Sequence, residues 1–195
     1  MAQALMDAAQ SGDLAQVRAV LATGVDVDSL TSYGETALHY AACQGHTACL
    51  KALLAAGASV HLVGKHGSTP LSLASMNRDA ACVRAVIAAG ADVNYVDRYG
   101  DAAFTLALRR GHRRVLKILL RAGADVHTGG VTRREKNADA WAVVDEIRAA
   151  GGWQNYVTLR RAALVRAISD AVRGKFPDVI NLEIATYVEP PGGYD

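Results

Sequence analysis

The chain has 195 residues, 51% of them hydrophobic but only 6% aromatic, and a formal net charge of +2. That length suits one domain, or one domain with a small appendage, and abundant alanine with few aromatics favours closely packed helices over a β-sandwich. No apolar run approaches the ~18–20 residues that span a bilayer, three cysteines make no disulfide framework, and near-balanced charge names no partner. The opening "MAQALMDAAQSGD" lacks a positive segment followed by an apolar one, so no secretory signal is read. An intracellular protein, cytoplasmic or nuclear, is expected, with no membrane association.

From the N-terminus onward one pattern recurs every 33 residues. "ATGVDVD" (22–28), "AAGASVH" (55–61), "AAGADVN" (88–94) and "RAGADVH" (121–127) stand in register. Ala8, Ala41, Ala74 and Ala107 align, as do Gly34, Gly67 and Gly100, and the pairs Val20-Leu21, Leu53-Leu54, Val86-Ile87 and Leu119-Leu120. Each period makes physical sense as a unit. A glycine turn precedes "TALHYAA" or "TPLSLAS", where Pro70 suits the first turn of a helix because its missing N–H has no partner there. Gly45 or Gly111 then ends that helix, and a second helix follows with apolar residues at 49, 50, 53 and 54 on one face. It stops at Gly57, Gly90 or Gly123. Neither helix buries its apolar face alone, so neighbouring units must stack.

"GETALHYAACQGHTACLKALLAAGASVH" and "GSTPLSLASMNRDAACVRAVIAAGADVN" resemble the ankyrin-repeat family, whose signature is a 33-residue period with T-P-L-H-x-A. The third full copy, "GDAAFTLALRRGHRRVLKILLRAGADVH", replaces that box by Ala102-Ala103-Phe104-Thr105. The resemblance covers roughly 4–127 and implies an all-α solenoid of stacked helix-turn-helix units with β-turn fingers, followed by a helical C-terminal extension. The units are an N-terminal cap (1–28) and full repeats at about 29–61, 62–94 and 95–127. For function it implies recognition of another protein by a monomeric scaffold.

In the first full repeat, His39, Cys43, His46 and Cys49 are a complete zinc set by residue type. The period argues against a metal. His39 belongs to the Thr-Ala-Leu-His box, where the family uses threonine and histidine in a local hydrogen-bond network. His46 follows a helix-ending glycine and is repeated by His112. Cys49 shares a column with Cys82 and Val115 on the buried face of the second helix, where cysteine acts as a small hydrophobe. Gly45 breaks the chain between Cys43 and His46, so no single helix face carries the set. Neither metal nor cofactor is expected.

In ankyrin proteins the turn tips and the exposed side of the first helices line a concave surface. Carried over by column, the resemblance assigns Ser32, Tyr33, Glu35, Cys43 and Gln44 of the first full repeat to partner binding. The second contributes Lys65, His66, Ser68, Met76 and Asn77, and the third Arg98, Tyr99, Asp101, Arg109 and Arg110. Tyr33, Tyr99 and the arginines lead, because aromatic and guanidinium groups dominate binding hot spots. "RRGHRRVLKILLR" (109–121) holds six basic residues and no acidic one. Val115, Leu116, Leu119 and Leu120 take the buried face, leaving a basic ring that is either an ordinary solvated face or an attraction for an acidic protein. Nucleic acid is disfavoured, since no aromatics interleave the cations for base stacking.

After His127 the register fails. Residues 128–137 read as a loop and 138–195 as a helical capping or extension segment. "ADAWAVVDEIRAAGG" (138–152) forms a helix with Asn137 or Asp139 as N-cap and Trp141, Val144 and Ile147 at helical spacing. "WQNYVTLRRAALVRAISDAVRGK" (153–175) is a longer amphipathic helix, and "FPDVINLEIATYV" (176–188) weakly resembles the start of F-box-like segments and the closing part of SOCS boxes. That resemblance implies an alternative role: a substrate-recognition adaptor of a cullin-type ubiquitin ligase, docked through residues 153–189. No nucleophile elbow, phosphate loop or His-Glu-x-x-His stands in the chain, so a non-catalytic scaffold is the expected function.

Overall fold

The computed structural model describes residues 2–126, 128, 138–151, 154–160 and 162–163. Four helix pairs follow one another: α1 (Ala2–Ser11) with α2 (Leu14–Leu21), α3 (Ala37–Gln44) with α4 (Thr47–Ala55), α5 (Pro70–Met76) with α6 (Ala80–Ala88), and α7 (Ala103–Arg110) with α8 (Arg113–Arg121). The first helices α1, α3, α5 and α7 stack in order as one layer and the second helices α2, α4, α6 and α8 as another. Among the described residues there is no sheet, only an isolated antiparallel bridge between Val96 and Ala102.

The columns of the sequence become the layers of the core. Leu5, Leu38, Leu71 and Phe104 are almost fully buried, and so are Val17, Leu50, Val83 and Leu116 from the second helices. Ala8, Ala41, Ala74 and Ala107 have no exposed surface, which lets the first helices approach closely without a large side chain between them. Cys49 and Cys82 lie in the same core as Val115. Burial pushes the Cys82 thiol up to about 11 and also raises that of Cys49, so both stay protonated and unreactive.

α3 and α5 start on local side-chain caps. In α3 the Thr36 N–H donates to His39 Nδ1 at 3.2 Å, with the Thr36 hydroxyl 2.9 Å from the same nitrogen. Nδ1 is therefore an acceptor and the ring proton sits on Nε2. In α5 the reciprocal box is made by Thr69 and Ser72, at 2.9 and 3.1 Å. Ala102 offers α7 no such cap, a loss worth ~1 kcal/mol in comparable helices.

Burial holds His39 below its ordinary pKa; the nearby Ser68 and Leu62 backbone groups and Glu35 oppose that without cancelling it. The unfolded chain therefore binds a proton near pH 6.5 that the folded chain refuses, and stability must rise with pH across that window. Stability is expected to be level above pH 6.5 and to fall below it, by at most ~1.4 kcal/mol per pH unit from this one group. Urea titrations at several pH values check it: His39→Gln should show a flatter dependence than the parent, and identical slopes would refute the assignment.

A second set of bonds ties the repeats together. The carbonyls of Gln10, Cys43 and Met76 occupy one column at the ends of α1, α3 and α5. His46 Nε2 donates to Gln10 at 3.1 Å and His112 Nε2 to Met76 at 3.1 Å. Between them Asp79 takes the histidine's column, and Asn77 supplies the bond instead, its Nδ2 donating to the Cys43 carbonyl at 2.9 Å. Each open helix end is thus closed by a side chain from the following repeat, satisfying a carbonyl that no helix residue reaches. Gly12 leaves the room: at φ +80° it is left-handed, and a Cβ there would stand 2.7 Å from the His46 ring. Asp79 is freed for other work. It caps α6 through the Ala81 N–H at 2.8 Å and accepts the Thr47 hydroxyl at 2.5 Å. Burial alone would raise its carboxyl, but these bonds and those from Cys82 outweigh it and hold the group below the usual range.

Beyond the fourth pair, α9 (Ala138–Ala149) and a helical stretch at 154–160 continue the stack. Val144, Ile147 and Tyr156 join the same apolar core as the repeats. Arg148 Nη2 donates to the Val126 carbonyl at 3.0 Å, and Arg160 pairs with Glu146 at 2.6 Å. The Trp141 side chain, the loop at 129–137, the remainder of the 153–175 helix and the 176–188 segment lie outside the described residues.

Candidate protein-binding face

Three fingers precede α3, α5 and α7. Each is a tight turn closed by a backbone bond across its base: Thr31 to Glu35 at 2.9 Å, Gly64 to Ser68 at 2.8 Å, Asp97 to Asp101 at 2.9 Å. One further backbone bond links neighbours, from Lys65 N–H to the Tyr33 carbonyl at 2.8 Å and from Arg98 N–H to the His66 carbonyl at 3.3 Å. The fingers therefore form a connected row rather than three separate loops.

The tips carry aromatic groups in one column, Tyr33, His66 and Tyr99. Lys65 Nζ lies 4.6 Å from the centre of the Tyr33 ring, a cation–π contact. The His66 and Tyr99 rings stack at 5.9 Å and 27°, and Tyr99 Oη is 3.0 Å from His66 Nδ1. His66 is the one described non-glycine residue with positive φ, at 70°, and histidine tolerates that region better than bulkier or branched residues. Tyr33 remains 55% exposed and Tyr99 69%.

On the fingers Ser32, Lys65 and Arg98 are exposed and Glu35 and Ser68 half-buried; at the C-terminal ends of α3, α5 and α7, Cys43, Gln44 and Arg110 are exposed and Met76 and Asn77 half-buried. Cys43 has its thiol raised chiefly by desolvation. Asp101 needs a correction. Expected to face a partner, it is only 5% exposed, because Arg109 folds back and grips it through two bonds, Nη1 to Oδ2 at 2.5 Å and Nη2 to Oδ1 at 2.6 Å. Arg109 therefore serves the finger's structure, and Arg110 is the better probe of binding.

One column escaped the sequence reading. Leu30, Val63 and Val96 stand 33 residues apart at the bases of the fingers and are 57%, 41% and 39% exposed. An apolar residue recurring outside the helical columns is the signal that could have revealed it. The four residues of the apparent zinc set have separate roles: His39 meets Thr36, His46 meets Gln10, Cys49 is in the core and Cys43 is at the surface. No three His, Cys, Asp or Glu side chains among the described residues come together to hold a metal ion.

A family model described as ankyrin repeats (3 copies) matches residues 2–63 and 59–129. The chain belongs to the ankyrin-repeat family. No curated protein matches it. Ankyrin repeats generally mediate protein–protein interaction and are typically non-catalytic scaffolds, and the helical stack with its finger row is the architecture such repeats build. No helix among the described residues is long and apolar enough to cross a membrane.

Proposed function

We propose that this ankyrin stack is a non-catalytic interaction scaffold that holds a partner protein on the finger row and the adjoining surface of α3, α5 and α7. The observation that carries the reading is the distribution of exposed large apolar side chains. Among the described residues these are Leu30, Tyr33, Val63, Val96, Tyr99 and Leu159, and all but Leu159 lie on the fingers. Contiguous exposed apolar surface marks interaction sites, and the contacts of Tyr33 with Lys65 and of Tyr99 with His66 hold the rings in place before binding, which lowers the ordering cost. Lys65 and Arg98 set positive charge on the fingers beside this apolar strip, and Arg110 adds a cation at the far end of α7, which favours a partner whose contact surface is apolar at its centre and acidic at its rim.

The double variant Tyr33→Ala/Tyr99→Ala tests it. Quantitative affinity capture from matched extracts should show partner recovery reduced tenfold or more, with the circular dichroism of the stack unchanged, since truncation of aromatic hot spots typically costs ~2 kcal/mol or more. Undiminished recovery of every partner by the double variant would refute the finger row as the binding face.

A further inference from the structure

The four second helices share a feature that protein binding by the fingers does not use. Arg18 of α2, Lys51 of α4, Arg84 of α6 and Lys117 of α8 occupy one column of the 33-residue register, and all four are exposed. α2, α4, α6 and α8 contain no aspartate or glutamate. Stacked side by side, they present one cation per repeat, at the ~10 Å separation of packed helices. α8 adds Arg113 and Arg114, both exposed. Arg18, Lys51 and Arg84 form no ion pair with any described residue. The acidic N-caps of α2 and α6 are Asp13, whose carboxylate accepts the Gln16 N–H, and Asp79, which is committed to Ala81 and Thr47. Besides these cations, the exposed residues of α2, α4 and α6 are alanines, such as Ala19, Ala48, Ala55 and Ala88, with Gln16 the one exception.

We infer that this second-helix face is a separate docking surface for an acidic helical segment of another protein, laid across the stack with one carboxylate per repeat. The spacing selects the partner. A helix rises 1.5 Å per residue, so carboxylates seven residues apart recur about every 10.5 Å and match the ladder. A nucleic acid lacks its usual platform here, because no aromatic side chain stands on these four helices. A membrane surface lacks its anchor, because none of the exposed large apolar side chains lies on them.

The test uses the full chain and three probes: a labelled helical peptide of four heptads with one glutamate per heptad, a single-stranded RNA, and phosphatidylserine vesicles. Fluorescence anisotropy at low salt should show the heptad peptide bound, with affinity falling as salt rises. A peptide of the same composition with its glutamates clustered should bind more weakly. Arg18→Gln/Lys51→Gln/Arg84→Gln/Lys117→Gln should weaken heptad-peptide binding about tenfold or more, the combined effect of four small surface pairs. Tyr33→Ala/Tyr99→Ala should leave it unchanged, which separates this surface from the fingers. Should the quadruple variant not fold, the pairs Arg18→Gln/Lys51→Gln and Arg84→Gln/Lys117→Gln each serve, with about half the logarithmic loss. Equal binding of clustered and heptad peptides, no loss in the ladder variants, or tighter binding of the RNA or vesicles than of the peptide would each overturn the inference.

Discussion

Phe104→Ala is expected to destabilise the protein by about 3–5 kcal/mol, the range for removing a fully buried phenyl ring. Phe104 is 1% exposed and occupies the column that Leu5, Leu38 and Leu71 fill in the other repeats. α7 already starts without a side-chain cap at Ala102, so this helix has less local support than α3 or α5 and depends more on its packing. The same column predicts the rescue: Phe104→Leu restores the residue type used by the other repeats and should cost about 1.5 kcal/mol or less. Guanidinium chloride unfolding followed by circular dichroism measures both. Because each repeat contacts only its neighbours, the alanine variant should also broaden or split the transition as α7 and α8 uncouple from α1–α6. A loss below about 1 kcal/mol for alanine would show that Phe104 does not fill the core as described.

The second large effect concerns Asp101 and Arg109. Asp101 is almost wholly buried, and its two carboxylate oxygens take the two guanidinium nitrogens of Arg109. Arg109→Ala leaves that carboxylate inside the finger without its counter-charge and is expected to cost about 1.5–3 kcal/mol, the range for hydrogen bonds to charged groups. Arg109→Lys keeps the charge but loses the two-pronged geometry, and should recover only part. Asp101→Ala should be the milder change, because the Arg109 side chain is 39% exposed and water can solvate it. The double variant should then be less destabilising than the sum of the singles, by about 1–3 kcal/mol in a double-mutant cycle. Additive losses would show that the pair contributes nothing by being together. For binding work the consequence is practical: weaker capture by an Arg109 variant reports a disturbed finger before it reports a lost contact.

Much of the repeat core was legible before any coordinates. A column such as Ala8, Ala41, Ala74 and Ala107 requires four equivalent environments, and a chain that repeats its apolar positions every 33 residues can bury them only by stacking. Hence the helices, their glycine stops and the core roles of Cys49 and Cys82 followed from position alone. The candidate site was less legible. Its residues could be assigned to columns, but a column says that a position faces outward without saying what a side chain reaches from there. Asp101 and Arg109 stand eight residues apart on different elements, and nothing local requires the arginine to turn back upon the finger. Leu30, Val63 and Val96 recur in perfect register, yet a branched apolar residue at a finger base reads as core until its exposure is known.

Hydrophobic periodicity and turn chemistry act within a few residues of each other, so the repeating unit, its length, the stacking and the identity of most buried residues are written in the chain's local pattern. Which side chain of one repeat closes the helix end of the one before it emerged only from the packed fold. His46 and His112 do so by themselves, while Asn77 takes over where Asp79 occupies their column. The packed fold also decided that Asp101 turns inward, that the aromatic tips pair with cationic or imidazole neighbours, and that Arg18, Lys51, Arg84 and Lys117 line up on one face. The physical reason is common to all of these. Such contacts join residues about 33 positions apart or on different elements, and their energies depend on distances that are set only once the repeats have packed.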